Sequence, residues 1–185
     1  MASLRILGVD PGLRCTGFGI IEVSQKGKEP EYVTSGTITT PFPAALAARI
    51  KVLHTGLTNI IERYQPQVMA IEIVFVNVNP QATLLLGQAR GALLAAAVMH
   101  DLEVHEYTAL QVKQAVVGHG HASKDQVQAM VMRLLKLTEA PRTDPADALA
   151  CALRHAYGDS RVPVAAGGRR STRWRSLPGC TGSSS

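Results

Sequence analysis

The sequence predicts a mixed α/β fold, and three observations carry that prediction. A short apolar strand ends at Asp10 and the turn pair Pro11-Gly12, and Thr16 to Val23 then reads as a second strand, so the chain opens on a hairpin. Residues 68–76, VMAIEIVFV, are almost wholly apolar, the pattern of a central strand covered on both faces. Elsewhere apolar residues recur at steps of three and four, the period of helices that pack on a sheet.

The elements follow in order. Residues 31–39, EYVTSGTIT, read as a third strand, with Pro41 and Pro43 marking its exit. Leu46, Ile50, Leu53, Leu57, Ile60, Ile61 and Tyr64 predict a helix over 44–64, stopped by Pro66. Asn79 and Pro80 supply an N-cap and an N1 proline for the next helix. Its body, LLLGQARGALLAAAVM, is rich in Gly and Ala, which let another backbone approach closely in the core or across a subunit interface. Residues 103–107 form a short strand, 108–117 a helix, and Gly118-His119-Gly120-His121 a loop. Ser123 caps a helix over 124–137 with Gln126 at N3. Asp144 and Pro145, read as N-cap and N1, open a last helix that ends near Tyr157-Gly158. The order is an antiparallel meander extended by parallel strands. Residues 1–158 are expected to be one folded domain. Residues 159–185, Gly-, Arg-, Ser- and Pro-rich without periodicity, are expected to be a disordered basic tail.

Composition narrows the class. Hydrophobic residues make up 46% but aromatics only 4%, so the core is aliphatic. The net charge of +5 is unevenly placed, because residues 159–185 carry five Arg against one Asp. The body is nearly neutral, and overall basicity is therefore no argument for nucleic acid. Cys15, Cys151 and Cys180 lack paired spacing and suggest neither zinc nor disulfides, as in a reducing cytoplasm. No signal-peptide pattern opens the chain, and the apolar stretch 84–99 is broken by Gln88 and Arg90 and reads as too short for a bilayer. The expectation is a cytoplasmic protein without a membrane partner.

Four carboxylates carry the chemistry. Glu72 sits mid-strand among apolar residues with no Lys or Arg nearby, where an ionised group needs a partner; a metal or catalytic role outweighs a distant salt bridge. Asp10 either caps its turn or joins Glu72. Asp144 and Asp147 are ordinary helix-start residues, yet three apart they share one helical face and can meet a single cation. Together the four suit Mg²⁺, which takes oxygen ligands and keeps water and substrate phosphate in its other positions. Two such ions activate a water and stabilise the leaving oxygen of a phosphodiester. His119 and His121 could bind a soft metal but in a glycine loop are more often exposed, Lys113 and Lys124 read as phosphate contacts or solvated charges, and Phe75 as core or as a base-stacking aromatic.

GVDPGLRCTGFG (8–19), AIEIVF (70–75), LGQARG (86–91), QVKQAVVG (111–118), ASKDQVQ (122–128) and DPADALA (144–150) together resemble the bacterial RuvC Holliday-junction resolvases, in matching order over about residues 4–157. The resemblance implies a ribonuclease-H-like five-stranded sheet flanked by helices, a homodimer, and Mg²⁺-dependent nicking of two opposed strands at a four-way DNA junction. It also implies partnership with the RuvA–RuvB branch-migration complex. Family catalytic and metal-binding carboxylates match Asp10, Glu72, Asp144 and Asp147. Lys113 and Lys124 match DNA-contacting residues, Lys124 with a further role at the scissile phosphate, and Phe75 matches the stacking aromatic. The sequence departs from the family at Ile73, usually Gln, at loop 76–79, which lacks the usual basic residue, and at Leu85, where Lys is common. A nuclease acting on RNA or hybrids shares the same carboxylates. A sugar-kinase or actin-like ATPase needs a second such domain, and a non-catalytic DNA-binding module does not need Glu72.

Overall fold

β-favouring residues at 4–10 form strand β1 (Leu4–Asp10), which is paired on both sides in the computed structural model; residues 3–24, 29–74 and 79–158 are described. Its antiparallel partner is β2 (Cys15–Val23), itself paired with β3 (Glu31–Thr39). Its parallel partner is β4 (Val68–Glu72), followed by β5 (Glu103–Tyr107), also parallel. The order β3-β2-β1-β4-β5 is the expected mixed five-stranded sheet.

Strand alternation sends successive side chains to opposite faces, and each face has its own core. Leu7, Val9, Ile20, Met69 and Ile71 meet α1 (Leu46–Tyr64) and α2 (Pro80–Met99). Ile6, Ile21 and Ala70 meet α3 (Ala109–Val117), α4 (Lys124–Leu134) and α5 (Thr143–Tyr157). Helix α5 is buried from Pro145 to Arg154 except at Asp147, and it lies directly on the backbone of β1 and β2. A Cβ at Gly8 would stand 1.9 Å from the Ala148 carbonyl oxygen, and one at Gly17 would stand 2.1 Å from that of Asp144. Only residues without a Cβ allow this approach.

Several boundaries differ from expectation. Strand β4 ends at Glu72 rather than 76, although the Ile73 amide still donates to the Tyr107 carbonyl at 2.7 Å. Helix α4 stops at Leu134 rather than 137, and Lys136 takes a left-handed conformation there. The N-cap of α5 is Arg142, so Asp144 is inside the first turn and is not the cap. Helix α2 includes its first turn at Pro80 and reaches 20 residues, long and apolar enough to cross a bilayer by length and composition, which corrects the reading of 84–99 as too short. One side of it is committed to the core, where Ala89, Leu93, Ala96 and Ala97 are buried against the α1 face of the sheet.

Candidate active site

The register brings the first two carboxylates together. Val9 pairs with Ile71, so Asp10 and Glu72 end neighbouring parallel strands, on the side occupied by Gly8, Ala70 and α5. Asp10 also pairs across β2 with Gly17, the residue on which the Asp144 backbone rests. The turn after Asp10 is fixed from below. Thr16 Oγ1 donates to the Gly12 carbonyl at 2.7 Å and accepts the Gly12 amide at 3.2 Å. Thr40 Oγ1 donates to the Leu13 carbonyl at 2.7 Å and accepts from Arg49 Nε at 3.0 Å. Glu72, Asp10 and the start of α5 thus converge from three separate elements.

Their electrostatics show the proximity. Burial, then the carboxylates of Asp147, Glu72 and Asp144 in that order, push Asp10 up to about 7. Burial and Asp147 likewise raise Glu72, against the pull of Lys124 and Lys113. Lys124 Nζ stands 3.3 Å from Asp147 Oδ2, and that carboxylate is the main reason its pKa is raised. The lysine side chain is 72% exposed, so it can turn from the carboxylate to a phosphate without leaving solvent. The cluster consists of acidic oxygens that repel one another, the donor chemistry a hard divalent cation takes. Among the described residues, no three His, Cys, Asp or Glu side chains stand as a ready-made cage. Mg²⁺ binds through one or two carboxylates and completes its shell with water and substrate phosphate.

Asp10, Glu72, Asp144, Asp147, Lys113 and Lys124 are therefore drawn into one electrostatic neighbourhood. Phe75 and most of loop 76–79 lie outside the described residues. His119 and His121 are exposed, as expected. A surface cavity of about 600 Å³ between the start of β3 and the α4–α5 connection is lined by none of these residues. The sequence reading passed over three features. Burial chiefly, then the Asp144 carboxylate, raises the Cys15 thiol pKa, which marks that thiol as a neighbour of Asp144. Arg90 reaches the Glu72 backbone. Gly8, Gly17 and Gly19 floor the site, and their signal was present, since glycines at alternate strand positions mark one face where another backbone approaches.

Known proteins resemble this chain over most of its length. The family model described as "Crossover junction endodeoxyribonuclease RuvC" matches residues 6–155. A protein of that name from Nitrosomonas eutropha is 60% identical over 156 residues, covering 84% of this chain and 86% of its own. Another from Dechloromonas aromatica is 63% identical over 154 residues, covering 83% and 85%. Among solved structures, Thermus thermophilus RuvC in complex with a Holliday junction substrate superimposes with a TM-score of 0.78 at 34% identity, covering 83% of this chain and 93% of that one. With the match spanning β1 through nearly all of α5, and so every element that supplies a carboxylate, this chain belongs to the RuvC family of crossover junction endodeoxyribonucleases.

Proposed function

We propose that the protein resolves four-way DNA junctions by nicking two opposed strands, with Asp10, Glu72, Asp144 and Asp147 holding Mg²⁺ as two ions per site. The observation that carries this reading is the convergence of four carboxylates from β1, β4 and α5, where burial first and the neighbouring carboxylates second hold Asp10 at about 7. Perturbed, buried acidic groups of this kind mark a functional site, and a cation beside an anionic substrate would relieve their repulsion. When bound, the metal supplies Lewis acidity and a lowered pKa for its water. The chain's own residues do the rest. The carboxylates fix where the cation sits, the packed strand ends keep them aligned, and Lys124 meets the negative charge that develops on the phosphate. A new P–O bond forms to water as the bond to the 3′-oxygen breaks, and the water's proton balances the 3′-hydroxyl, leaving a 5′-phosphate. Lys113 and Phe75 are assigned to the DNA path, as a phosphate contact and a base-stacking ring.

A junction with two-fold symmetry calls for two sites, and α2 supports a homodimer. Leu84, Gly87, Gly91, Ala95 and Val98 form an exposed stripe, and a Cβ at either glycine would meet nothing within 4 Å. Ala92 and Ala96 are buried within the chain itself, so the exposed stripe is the part of this Gly- and Ala-rich helix offered to a partner. The reading extends to a cytoplasmic enzyme without a membrane partner, to partnership with the RuvA–RuvB branch-migration complex, and to a domain of residues 1–158 followed by a disordered basic tail, 159–185. The test is cleavage of a synthetic four-way junction beside duplex and RNA–DNA hybrid, with and without Mg²⁺. Paired nicks in the junction alone, dependent on Mg²⁺ and lost in Glu72→Gln with binding retained, are expected. Full activity in Glu72→Gln overturns the assignment, and preferential cutting of the hybrid assigns the site to a different nuclease.

A further inference from the structure

The backbone of Glu72 has a problem that its strand neighbours cannot solve. In the β4–β5 ladder Ile73 donates to Tyr107, so the peptide groups of 71 and 73 face β5 and those of Glu72 face β1. With Val9 opposite Ile71, the β1 residue that would donate to the Glu72 carbonyl is residue 11. That residue is Pro11, which has no N–H. The same proline that turns the chain away from Asp10 therefore removes the last donor from the strand that presents Glu72. A carbonyl in this partly buried position needs a replacement.

Arg90 supplies it. Its Nε donates to the Glu72 carbonyl at 3.2 Å from α2, on the opposite side of the sheet from the carboxylates. Its Nη2 is held by the Glu106 carboxylate on β5, which pairs with Ile71 and shares that side. The arginine side chain is 19% exposed, so the fork is largely removed from water. A guanidinium can donate to both groups at once, whereas a lysine has a single nitrogen to offer.

We infer that Arg90 is a positioning residue for the nuclease site: it replaces the ladder donor missing at Pro11 and so fixes the direction in which β4 presents the Glu72 carboxylate. Because Arg90 is carried by α2, the helix with the exposed stripe, it also ties that helix to the catalytic strand. The inference rests on Glu72 being a metal ligand.

Binding of Mn²⁺ without DNA, junction affinity and nicking at saturating junction separate the possibilities, measured on Arg90→Ala, Arg90→Lys, Glu106→Gln and Glu72→Gln. Loss of a group that orients a metal ligand typically costs about 10–100-fold in metal affinity or activity. Arg90→Ala is expected to weaken Mn²⁺ binding and slow nicking by that order while leaving junction affinity within about threefold. Arg90→Lys and Glu106→Gln should fall between it and the parent. Unchanged Mn²⁺ binding in a folded Arg90→Ala, or activity lost only because the variant is monomeric by light scattering, overturns the inference. If Arg90→Ala does not fold, Glu106→Gln decides: parental Mn²⁺ binding and nicking there overturn it equally. Glu72→Gln with parental Mn²⁺ binding instead refutes the metal-site reading itself.

Discussion

Replacing Gly17 with alanine would build a Cβ 2.1 Å from the Asp144 carbonyl oxygen, 2.5 Å from its carbonyl carbon and 3.1 Å from its Cβ. These atoms belong to the first turn of α5, so no flexible side chain can swing aside. Ordinary contact begins near 3.4 Å, and the turn would have to retreat from β2 by roughly 1.3 Å, the difference between that separation and the closest one. Overpacking of this kind costs about 1–3 kcal/mol, and each kcal/mol lowers the melting temperature of a chain this size by about 2–4 °C. The catalytic effect should be larger than the structural one. Asp144 and Asp147 both ride on the displaced segment, and a misplacement of about 1 Å can cost 100-fold in rate. The assay is nicking of a four-way junction at saturating DNA and Mg²⁺, below the melting transition, alongside thermal unfolding by circular dichroism. A loss near 100-fold at modest thermal cost is expected. Parental turnover and melting in Gly17→Ala would refute the argument that a glycine floor sets the height of the carboxylates.

Other perturbations test the charges and the surface. Asp10 is raised from 3.8 to about 7, so the folded protein binds a proton there that the unfolded chain has released. Its contribution is complete below pH 3.8 and is lost as pH rises to about 7, by up to about 1.4 kcal/mol per pH unit. In EDTA, Asp10→Asn should therefore melt higher than the parent at pH 8, and Mg²⁺ should restore the parent more than the variant; equal melting without metal would refute the burial argument. Lys113→Ala and Lys124→Ala should each reduce the slope of log affinity against log salt by about one, as expected for one phosphate contact, and unchanged slopes would move the DNA path elsewhere. Lys124→Ala should in addition slow cleavage at saturating DNA, because its Nζ lies beside Asp147. Ala95→Glu or Val98→Glu, on the exposed stripe of α2, should shift the protein to monomer in light scattering; a variant that stays dimeric places the interface on another surface.

Much of the fold was legible because it is written in local chemistry. Strands β3 and β5 fall on their expected residues, and Asn79 and Ser123 accept the capping hydrogen bonds that their types and spacing imply, while Thr108, expected inside its helix, caps it instead. Boundaries failed where the deciding contact came from elsewhere. Residues 73 and 74 are as apolar as those before them, yet β4 ends at Glu72, beside a β1 that turns away at Pro11. At α5, Asp-Pro has the look of cap and N1, but the helix begins one residue before Asp144.

That displaced helix start bears directly on the function. A cap would spend Asp144's oxygen on the backbone amides of its own first turn. With Arg142 at the N-cap and no side-chain capping bond there, the two uses no longer compete at Asp144. Its carboxylate instead raises the pKa of the neighbouring Cys15 thiol and adds to the field at Asp10. The bland reading of Asp-Pro-x-Asp as helix-start chemistry is weakened by geometry. What sequence spacing could not show is the convergence itself, because Asp10, Glu72 and α5 meet only through strand register and the missing Cβ atoms of Gly8 and Gly17. Carboxylates that would lower their energy by standing apart are held together by paired strand ends and a buried helix, and a divalent cation is the species that would turn that cost into binding.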